Sequence, residues 1–314
     1  MGRFKFVARR LAVTVPLLLA VVLLVFLILA VTPGDPARQI VGLRASAAEL
    51  ARVRAELGLD DPLASQYLRY LGGLLQGDLG FSYKARQPVT QIVGERLPVT
   101  AWLLGVGATL AVVIAVPLAI GSALKQRGRL DRAVQVFGLL ALTMPSFWVG
   151  IVLIRTVAMP TGWFPVGGFG DTTAEHLRSI ILPALTLAIG VIPLLVRSLR
   201  ASILEVLGSD HVTTARAMGL PSRTVMRRFV LRNASAPTIS VLSLNLGYLL
   251  FGAVVIEATF ALPGIGQGLV LAARSRDLPA IQGYALLFGV AVVAVYLLAD
   301  IVIAALDPRV EIDS

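Results

Sequence analysis

Ser209-Asp-His-Val-Thr-Thr-Ala-Arg-Ala-Met-Gly-Leu-Pro-Ser-Arg-Thr-Val-Met-Arg-Arg-Phe-Val-Leu-Arg-Asn-Ala234 separates two long apolar runs of a 314-residue chain. Its first half predicts a short helix running to Met218, with Ser209 or Asp210 capping the start and Asp210 complementing the positive helix end. Gly219 supplies a left-handed terminating residue, and Pro221 prevents continuation. Ser222 is placed to cap a second helix, in which Arg223, Arg227 and Arg228 cluster before the next apolar run. A short helix braced by a second one is a rigid strut that moves attached spans as a body. The residues alone leave two uses open: a docking surface for a cytoplasmic partner, or a basic loop resting on anionic lipid heads.

The surroundings decide the class. Hydrophobic residues make up 57% of the chain, well above the share usual in a soluble domain. Six apolar segments lie near Leu11–Val31, Val99–Leu124, Ala133–Val157, Ile180–Leu199, Ala236–Phe260 and Gly283–Leu306. Each holds about 20–26 residues, enough to cross roughly 30 Å of hydrocarbon at about 1.5 Å per residue. A backbone in lipid must satisfy its own hydrogen bonds, so these segments are helices. The expectation is an all-α integral membrane protein with six transmembrane helices, the fourth being the least regular because of Pro193. Leu11–Val31 reads as an uncleaved span, since the apolar run is long and no small-x-small cleavage site follows it.

Basic residues set the orientation. Arg3, Lys5, Arg9 and Arg10 precede the first span, and Lys125, Arg127, Arg129 and Arg132 join the second to the third. Arg197, Arg200, Arg216, Arg223, Arg227, Arg228 and Arg232 lie between the fourth and fifth, whereas the opposite short loops hold only Arg178, Arg274 and Arg276. The positive-inside rule then places both termini, and the Ser209–Ala234 loop, in the cytoplasm. Four regions follow. Residues 1–31 are the N-terminus and first span, and 32–98 an external loop with a small helical cap. Residues 99–306 are a five-helix core carrying the cytoplasmic loop 200–235, and 307–314 a cytoplasmic tail. In the cap, Ser46 and Glu49 form a capping box; Leu50, Val53 and Leu57 share a face, and Gly58 closes the helix. A second cap helix covers Leu63–Leu75 and ends before the turn Gly77-Asp-Leu-Gly80.

Several chemistries are excluded. The chain has no cysteine, which removes disulfides, iron–sulfur clusters and thiol catalysis. His176 and His211 are far apart and suggest no metal centre; His211 reads as a surface residue. Lysine occurs only at 5, 84 and 125, never after glycine, so no phosphate-cradling loop exists and no cofactor is expected. Gly264-x-Gly266 lacks a preceding strand and is no dinucleotide fingerprint. Asn233-Ala-Ser235 falls on the cytoplasmic side and is a chance glycosylation match. The net charge of +10 gathers beside apolar runs rather than on one soluble face, which argues against nucleic acid.

Charges in or near the spans are the other candidates. Arg155 and Asp300 sit near span ends, where they can snorkel. Glu257 lies at the external end of the fifth span, just before Ala261-Leu-Pro-Gly-Ile-Gly266; Pro263-Gly-Ile-Gly-Gln-Gly268 is too irregular to face lipid at depth. Glu257, Pro263 and Gly264 are therefore candidates for a translocation path or gate, with structural pairing of Glu257 to a neighbouring Arg as the alternative.

Ala215-Arg-Ala-Met-Gly219, followed by Arg227-Arg-Phe-Val-Leu-Arg-Asn-Ala234 and Pro237, resembles the cytoplasmic EAA loop of permeases from binding-protein-dependent ABC importers. The chain is more narrowly similar to the first permease subunit of dipeptide, oligopeptide and nickel importers. Supporting blocks are Thr32-Pro-Gly-Asp-Pro36, Leu57-Gly-Leu-Asp-Asp-Pro62, Gln66-Tyr-Leu68, Gly77-Asp-Leu-Gly80 and Met144-Pro-Ser-Phe147. Further along come Val255-Ile-Glu-Ala-Thr-Phe260, Pro263-Gly-Ile-Gly266, Arg276-Asp-Leu-Pro279 and Leu306-Asp-Pro-Arg309. Their order and spacing, more than any one block, carry the resemblance along nearly the whole chain. It implies a type I ABC-importer permease fold in a bacterial inner membrane, with no catalysis of its own. Implied partners are a second homologous permease, cytoplasmic P-loop ATPases, an external substrate-binding protein, a peptide substrate and the lipid bilayer.

The same resemblance makes Asp210–Gly219 the coupling helix seated in an ATPase groove, with Asp210, Thr214, Ala215, Arg216, Ala217, Met218, Gly219, Arg227 and Arg228 as coupling residues. The family's Glu is Thr213 here, its next Ala is Thr214, and Met218 stands where Lys is frequent, so no individual ion pair carries over. Nickel is the alternative cargo. A secondary transporter driven by an ion gradient would favour an internal inverted repeat, and none is visible. A membrane enzyme would need a convergent catalytic site, and none is visible either.

Overall fold

The computed structural model describes residues 2–31, 35–42, 45–82 and 84–306; within these, the side chains of 2–11, 29, 36, 39, 40, 236 and 298–306 are outside the description. The expected tail 307–314, the segment Thr32–Gly34, and the side chains of Arg3, Lys5, Arg9, Arg10 and Asp300 therefore lie outside the described residues.

The long apolar runs fold as helices, as the bilayer argument requires. In chain order these are α1 (Gly2–Val31), α2 (Pro36–Val41), α3 (Ala47–Leu57) and α4 (Leu63–Leu75), followed by the two-residue strands β1 (Phe81–Ser82) and β2 (Gln87–Pro88). Then come α5 (Val89–Leu124), α6 (Arg129–Thr143), α7 (Ser146–Leu153), a π-helical turn at Ile154–Ala158, α8 (Met159–Thr161) and α9 (Thr173–Leu207). The chain continues with α10 (Asp210–Ala217), α11 (Ser222–Thr224), a second π-helical turn at Val225–Leu231, α12 (Arg232–Thr259), α13 (Ile265–Ser275) and α14 (Leu278–Leu306).

Among the described residues four helices are long and apolar enough to cross a bilayer: α5, α9, α12 from Pro237 onward, and α14 as far as Leu297. Helices α6 to α8 make a fifth if their two arms, bent by 107°, count as one span. The described apolar part of α1, Ala12–Ile28, is shorter than these.

Two sequence expectations are corrected here. The third run is not one continuous helix, because the chain breaks at Met144-Pro145. Proline disfavours a helical conformation in the residue before it, and Met144 is extended at φ −81°, ψ 127°. Pro145 is extended as well, at φ −61°, ψ 133°. Two consecutive extended residues redirect the helix. The fourth run, expected to be the least regular, is instead an unbroken 35-residue helix through both Pro183 and Pro193. Proline removes a backbone bond, but dense packing around α9 retains the helix: 72% of its apolar window is buried, against 28% in α5.

The chain divides into two compact units, Met1–Pro98 with Gly264–Val293, and Val99–Pro263 with Ala294–Ser314. In the first, Phe26 of α1 meets the rings of Tyr67 and Tyr70 at 5.4 and 6.1 Å. Helix α3 begins and ends where the local signals place it: Ser46 accepts from Glu49 N at 3.2 Å, and Gly58 takes the left-handed conformation, φ 61°. The hairpin β1–β2, which the sequence reading did not foresee, pairs Phe81 with Pro88 and Ser82 with Gln87. The Ser82 hydroxyl donates to the Asp277 carboxylate.

The second unit is built around α9, which packs along α12, α6 and α7. Leu187 of α9 occupies the space that glycines leave open: a Cβ at Gly107 of α5 or at Gly252 of α12 would lie 3.1 Å from its methyls. Ile180, Ala184, Ala188, Val191, Leu195, Leu199 and Ile203 line the buried stripe of α9, recurring at the three- and four-residue spacing of one helix face. Thr172 and Glu175 start this helix with a reciprocal capping box.

Candidate functional site

The polar segment after α9 folds as a helical strut. Gly208 N donates to Glu205 O at 3.1 Å and Ser209 N to Val206 O at 3.1 Å, which closes α9 and allows only two residues before α10 begins. Ser209 occupies the N-cap position. Its hydroxyl, however, donates back to Val206 O at 2.5 Å, so the side-chain cap expected from Ser209 is replaced by a bond that stiffens the link to α9.

The helix ends one residue sooner than expected, at Ala217, with Met218 as C-cap. Gly219 is left-handed, φ 75°. Its N–H donates to Arg216 O at 2.9 Å and Leu220 N–H to Ala215 O at 3.3 Å. This pair of bonds is the Schellman arrangement that satisfies the last free carbonyls of a helix. Pro221, rather than Ser222, takes the N-cap position of α11, and Ser222 is the first helical residue. The widened turn that follows, Val225–Leu231, carries Arg227 and Arg228 outward while Val225 and Val230 are buried.

The two faces of α10 differ sharply. Val212 (0% exposed) and Ala215 (3%) are the buried pair that seats the strut. Asp210, Thr214, Arg216, Ala217, Met218 and Gly219 are exposed. Thr213 and Thr214 direct their hydroxyls to the carbonyls of Ser209 and Asp210, at 3.3 and 2.9 Å. Of the coupling residues named from the sequence, Ala215 is thus the one turned inward. Met218, 75% exposed, projects an apolar side chain from this surface, with exposed Leu220 beside it.

A cluster that the sequence reading missed lies on α9 above the strut. The Arg200 guanidinium grips Asp131 with Nε on Oδ1 and Nη2 on Oδ2, both at 2.8 Å. Ser122 donates to Oδ1 at 2.5 Å, Gln135 Nε2 to Oδ1 at 2.9 Å, and Arg127 N to Oδ2 at 2.8 Å. Asp131 precedes the apolar run that begins at Ala133, and its side chain is 3% exposed. The Arg200 guanidinium foremost, then the Ser122 hydroxyl, hold its carboxyl well below the usual carboxylate range. The signal was present: Asp131 is the single acid in Lys125-Gln-Arg-Gly-Arg-Leu-Asp-Arg132.

The candidate path residues lie at the end of α12 and in the connection to α13. Glu257 is fully buried, and the Thr100 hydroxyl donates to its Oε1 at 2.6 Å. It sits among Ile256, Phe260 and Leu262, which are also buried. Pro263 closes one compact unit and Gly264 opens the other. The glycine-rich stretch after Pro263 is regular rather than irregular. Gly264 is the N-cap of α13, and Gly266 and Gly268 lie inside that helix. Gly268 faces Tyr284, whose hydroxyl would stand 2.5 Å from an added Cβ, so close packing explains this glycine. Arg155 is exposed, within the π-helical turn that ends the third run. Among the described residues no group of three His, Cys, Asp or Glu side chains is placed to hold a metal.

Comparison with known proteins agrees with this architecture. Residues 115–312 match the family described as binding-protein-dependent transport system inner membrane component, and residues 3–104 match its N-terminal companion family. The chain is 38% identical over 302 residues to the glutathione transport system permease protein GsiC of Pectobacterium atrosepticum, covering 96% of this chain and 97% of that protein. It is 35% identical over 312 residues to the oligopeptide transport system permease protein AppB of Bacillus subtilis, covering 98% and 99%. In fold it is similar to an inward-facing MetNI methionine ABC transporter, with a TM-score of 0.58 at 16% identity over 69% of this chain and 97% of that one.

Proposed function

We propose, from the premise that this chain belongs to the family of binding-protein-dependent transport system inner membrane components, that it forms half of a peptide pathway. As an ABC-importer permease it is a multi-pass protein of the inner membrane. On our reading it crosses that membrane six times, with both termini in the cytoplasm. Helix α1 and the bent α6–α8 pair then complete the set begun by α5, α9, α12 and α14. A second, homologous permease supplies the other half, and an external binding protein delivers the cargo. That the cargo is a di- or oligopeptide follows from the glutathione and oligopeptide permeases to which the chain is similar.

The chain itself is non-catalytic in this reading, and ATP is cleaved in cytoplasmic partner subunits. One observation carries the coupling assignment: an eight-residue helix joined to the central helix α9 through two residues, with Val212 and Ala215 buried and the opposite face exposed. Asp210, Thr214, Arg216, Ala217, Met218 and Gly219 form the surface that enters an ATPase groove, and exposed Arg227 and Arg228 flank it. Force applied there reaches the packed core through buried side chains rather than through a loose loop. Glu257, with Pro263 and Gly264, remains our proposal for the outer gate. A carboxylate closed against Thr100 fits a shut outer end, and opening would have to break that bond.

The test is gentle purification from native membranes with mass spectrometry of co-eluting proteins. A second permease and P-loop ATPases should be recovered with the intact chain, and the ATPases lost with Arg216→Glu combined with Met218→Glu. A chain that elutes alone and moves solute under an ion gradient without ATP overturns the assignment.

A further inference from the structure

We propose that Arg200 and Asp131 are positioning residues for transport, a clamp that transmits movement of α10 to the corner between α5 and α6. The proposal rests on the coupling role assigned to α10 above. Arg200 lies seven residues before the end of α9, roughly 10 Å along the helix axis. Between it and α10 every link is fixed: the closing bonds of α9, the Ser209 hydroxyl on Val206 O, and buried Ile203, Val212 and Ala215. Displacement of α10 therefore carries Arg200 with it.

On the other side, one carboxylate gathers three elements. Asp131 belongs to the first turn of α6, Ser122 to the end of α5, and Arg127 N to the connection between them. Gln135, one turn along α6, completes the set. The guanidinium also reaches Ser122 directly, Nε to Oγ at 3.0 Å. A planar fork on both carboxylate oxygens restrains angle as well as distance, so the clamp resists rotation of α9 as well as sliding.

The packing beside the clamp leaves room for movement. A cavity of about 440 Å³ lies along α6 and α9 beside the clamp, walled by Val134, Phe137, Gly138, Leu142, Ile192 and Val196 and bordered by Arg200 and Gln135. The two helices still touch along this stretch, a Cβ at Gly138 standing 3.4 Å from Pro193, but the cavity leaves the space between their facing side chains loosely filled. The ion pair is the fixed join at that end, while the cavity leaves space for the helices to change their angle. Asp131 is buried and Arg200 is 21% exposed; a pair of this kind adds little to stability, and the role we assign to it is to hold one arrangement.

The cysteine-free chain can be labelled before assembly, so that on this subunit the paired labels go only where introduced. In the assembled transporter, Asp131→Asn and Arg200→Gln should keep the ATPases bound and ATP hydrolysis running. Peptide moved per ATP should fall on the order of tenfold, the scale of a typical coupling between sites. The charge-exchanged double variant, Asp131→Arg with Arg200→Asp, should recover part of the loss. Spin labels at Glu205→Cys and Arg132→Cys, both exposed positions, should give a narrow distance distribution in the parent complex and a broadened one in the clamp variants. A purely structural role would lower abundance and both rates together, without changing their ratio. Unchanged peptide per ATP, or an unbroadened distance in an assembled variant, overturns the clamp. Should Asp131→Asn not assemble, Arg200→Lys, which keeps the charge and loses the fork, carries the same two readouts. Failure of the unaltered chain to retain ATPases defeats the coupling assignment instead, so the two failures are distinguishable.

Discussion

Gly219 offers the most direct measurement of how much the strut's geometry matters. Its φ of 75° lies in the left-handed region, yet an added Cβ there meets nothing within 4 Å. Substitution therefore costs backbone conformation only, about 1–2 kcal/mol for an ordinary L-residue and more for a β-branched one. A residue that leaves this conformation also releases the bonds from Gly219 N to Arg216 O and from Leu220 N to Ala215 O, opening the end of α10 beside exposed Met218. If docking requires the closed end, 1–2 kcal/mol becomes a roughly 5–30-fold weaker grip on the ATPase subunit. The assay is titration of labelled ATPase subunit onto the permease pair in nanodiscs. Affinity should fall in the order Gly, Asn, Ala, Val, because Asn tolerates the left-handed region better than Ala, while abundance stays constant at this exposed position. Gly219→Val binding as tightly as the parent would refute the argument that helix termination shapes the docking surface.

Three further outcomes follow from the same structure. Ala215→Asp places a carboxylate at a position 3% exposed; it should lower abundance and melting temperature, whereas Met218→Ala should weaken coupling with both unchanged. Gly268→Ala brings a Cβ within 2.5 Å of Tyr284 Cζ and Oη; overpacking of about 1–3 kcal/mol should lower the melting temperature, and Tyr284→Leu should relieve it. Asp131 has a folded pKa below its unfolded value, which is near 3.9, so its contribution to stability is fully present above that value. It is lost as the pH falls through the folded pKa. Thermal scans of Asp131→Asn should show a flatter acid limb than the parent, and parallel limbs would contradict the pairing.

Much of the architecture was legible because its causes are local. Ser46 and Gly58 bound α3 through bonds within four residues, and Leu63–Leu75 follows from apolar content between a proline and a glycine turn. Gly219 and Pro221 end α10 for reasons contained in the short segment from Ala215 to Pro221. The resemblance in the loop and its flanking blocks led to the family that the comparisons then gave. Proline misled, because its effect depends on context. Pro145 breaks a run and Pro193 does not, and only the packing around α9 distinguishes them.

Composition and run length by themselves determined a helical membrane protein, and the short-range signals fixed where its strut stops. The tertiary structure decided which face of α10 is available, turning Ala215 inward and leaving Met218 out. It also decided that Glu257 meets Thr100, 157 residues away, and that Arg200 meets Asp131, 69 residues away. A cap or a turn is satisfied by neighbours along the chain, so sequence specifies it. A buried charge finds its partner only where helices have packed together, and that pairing is written in no single stretch.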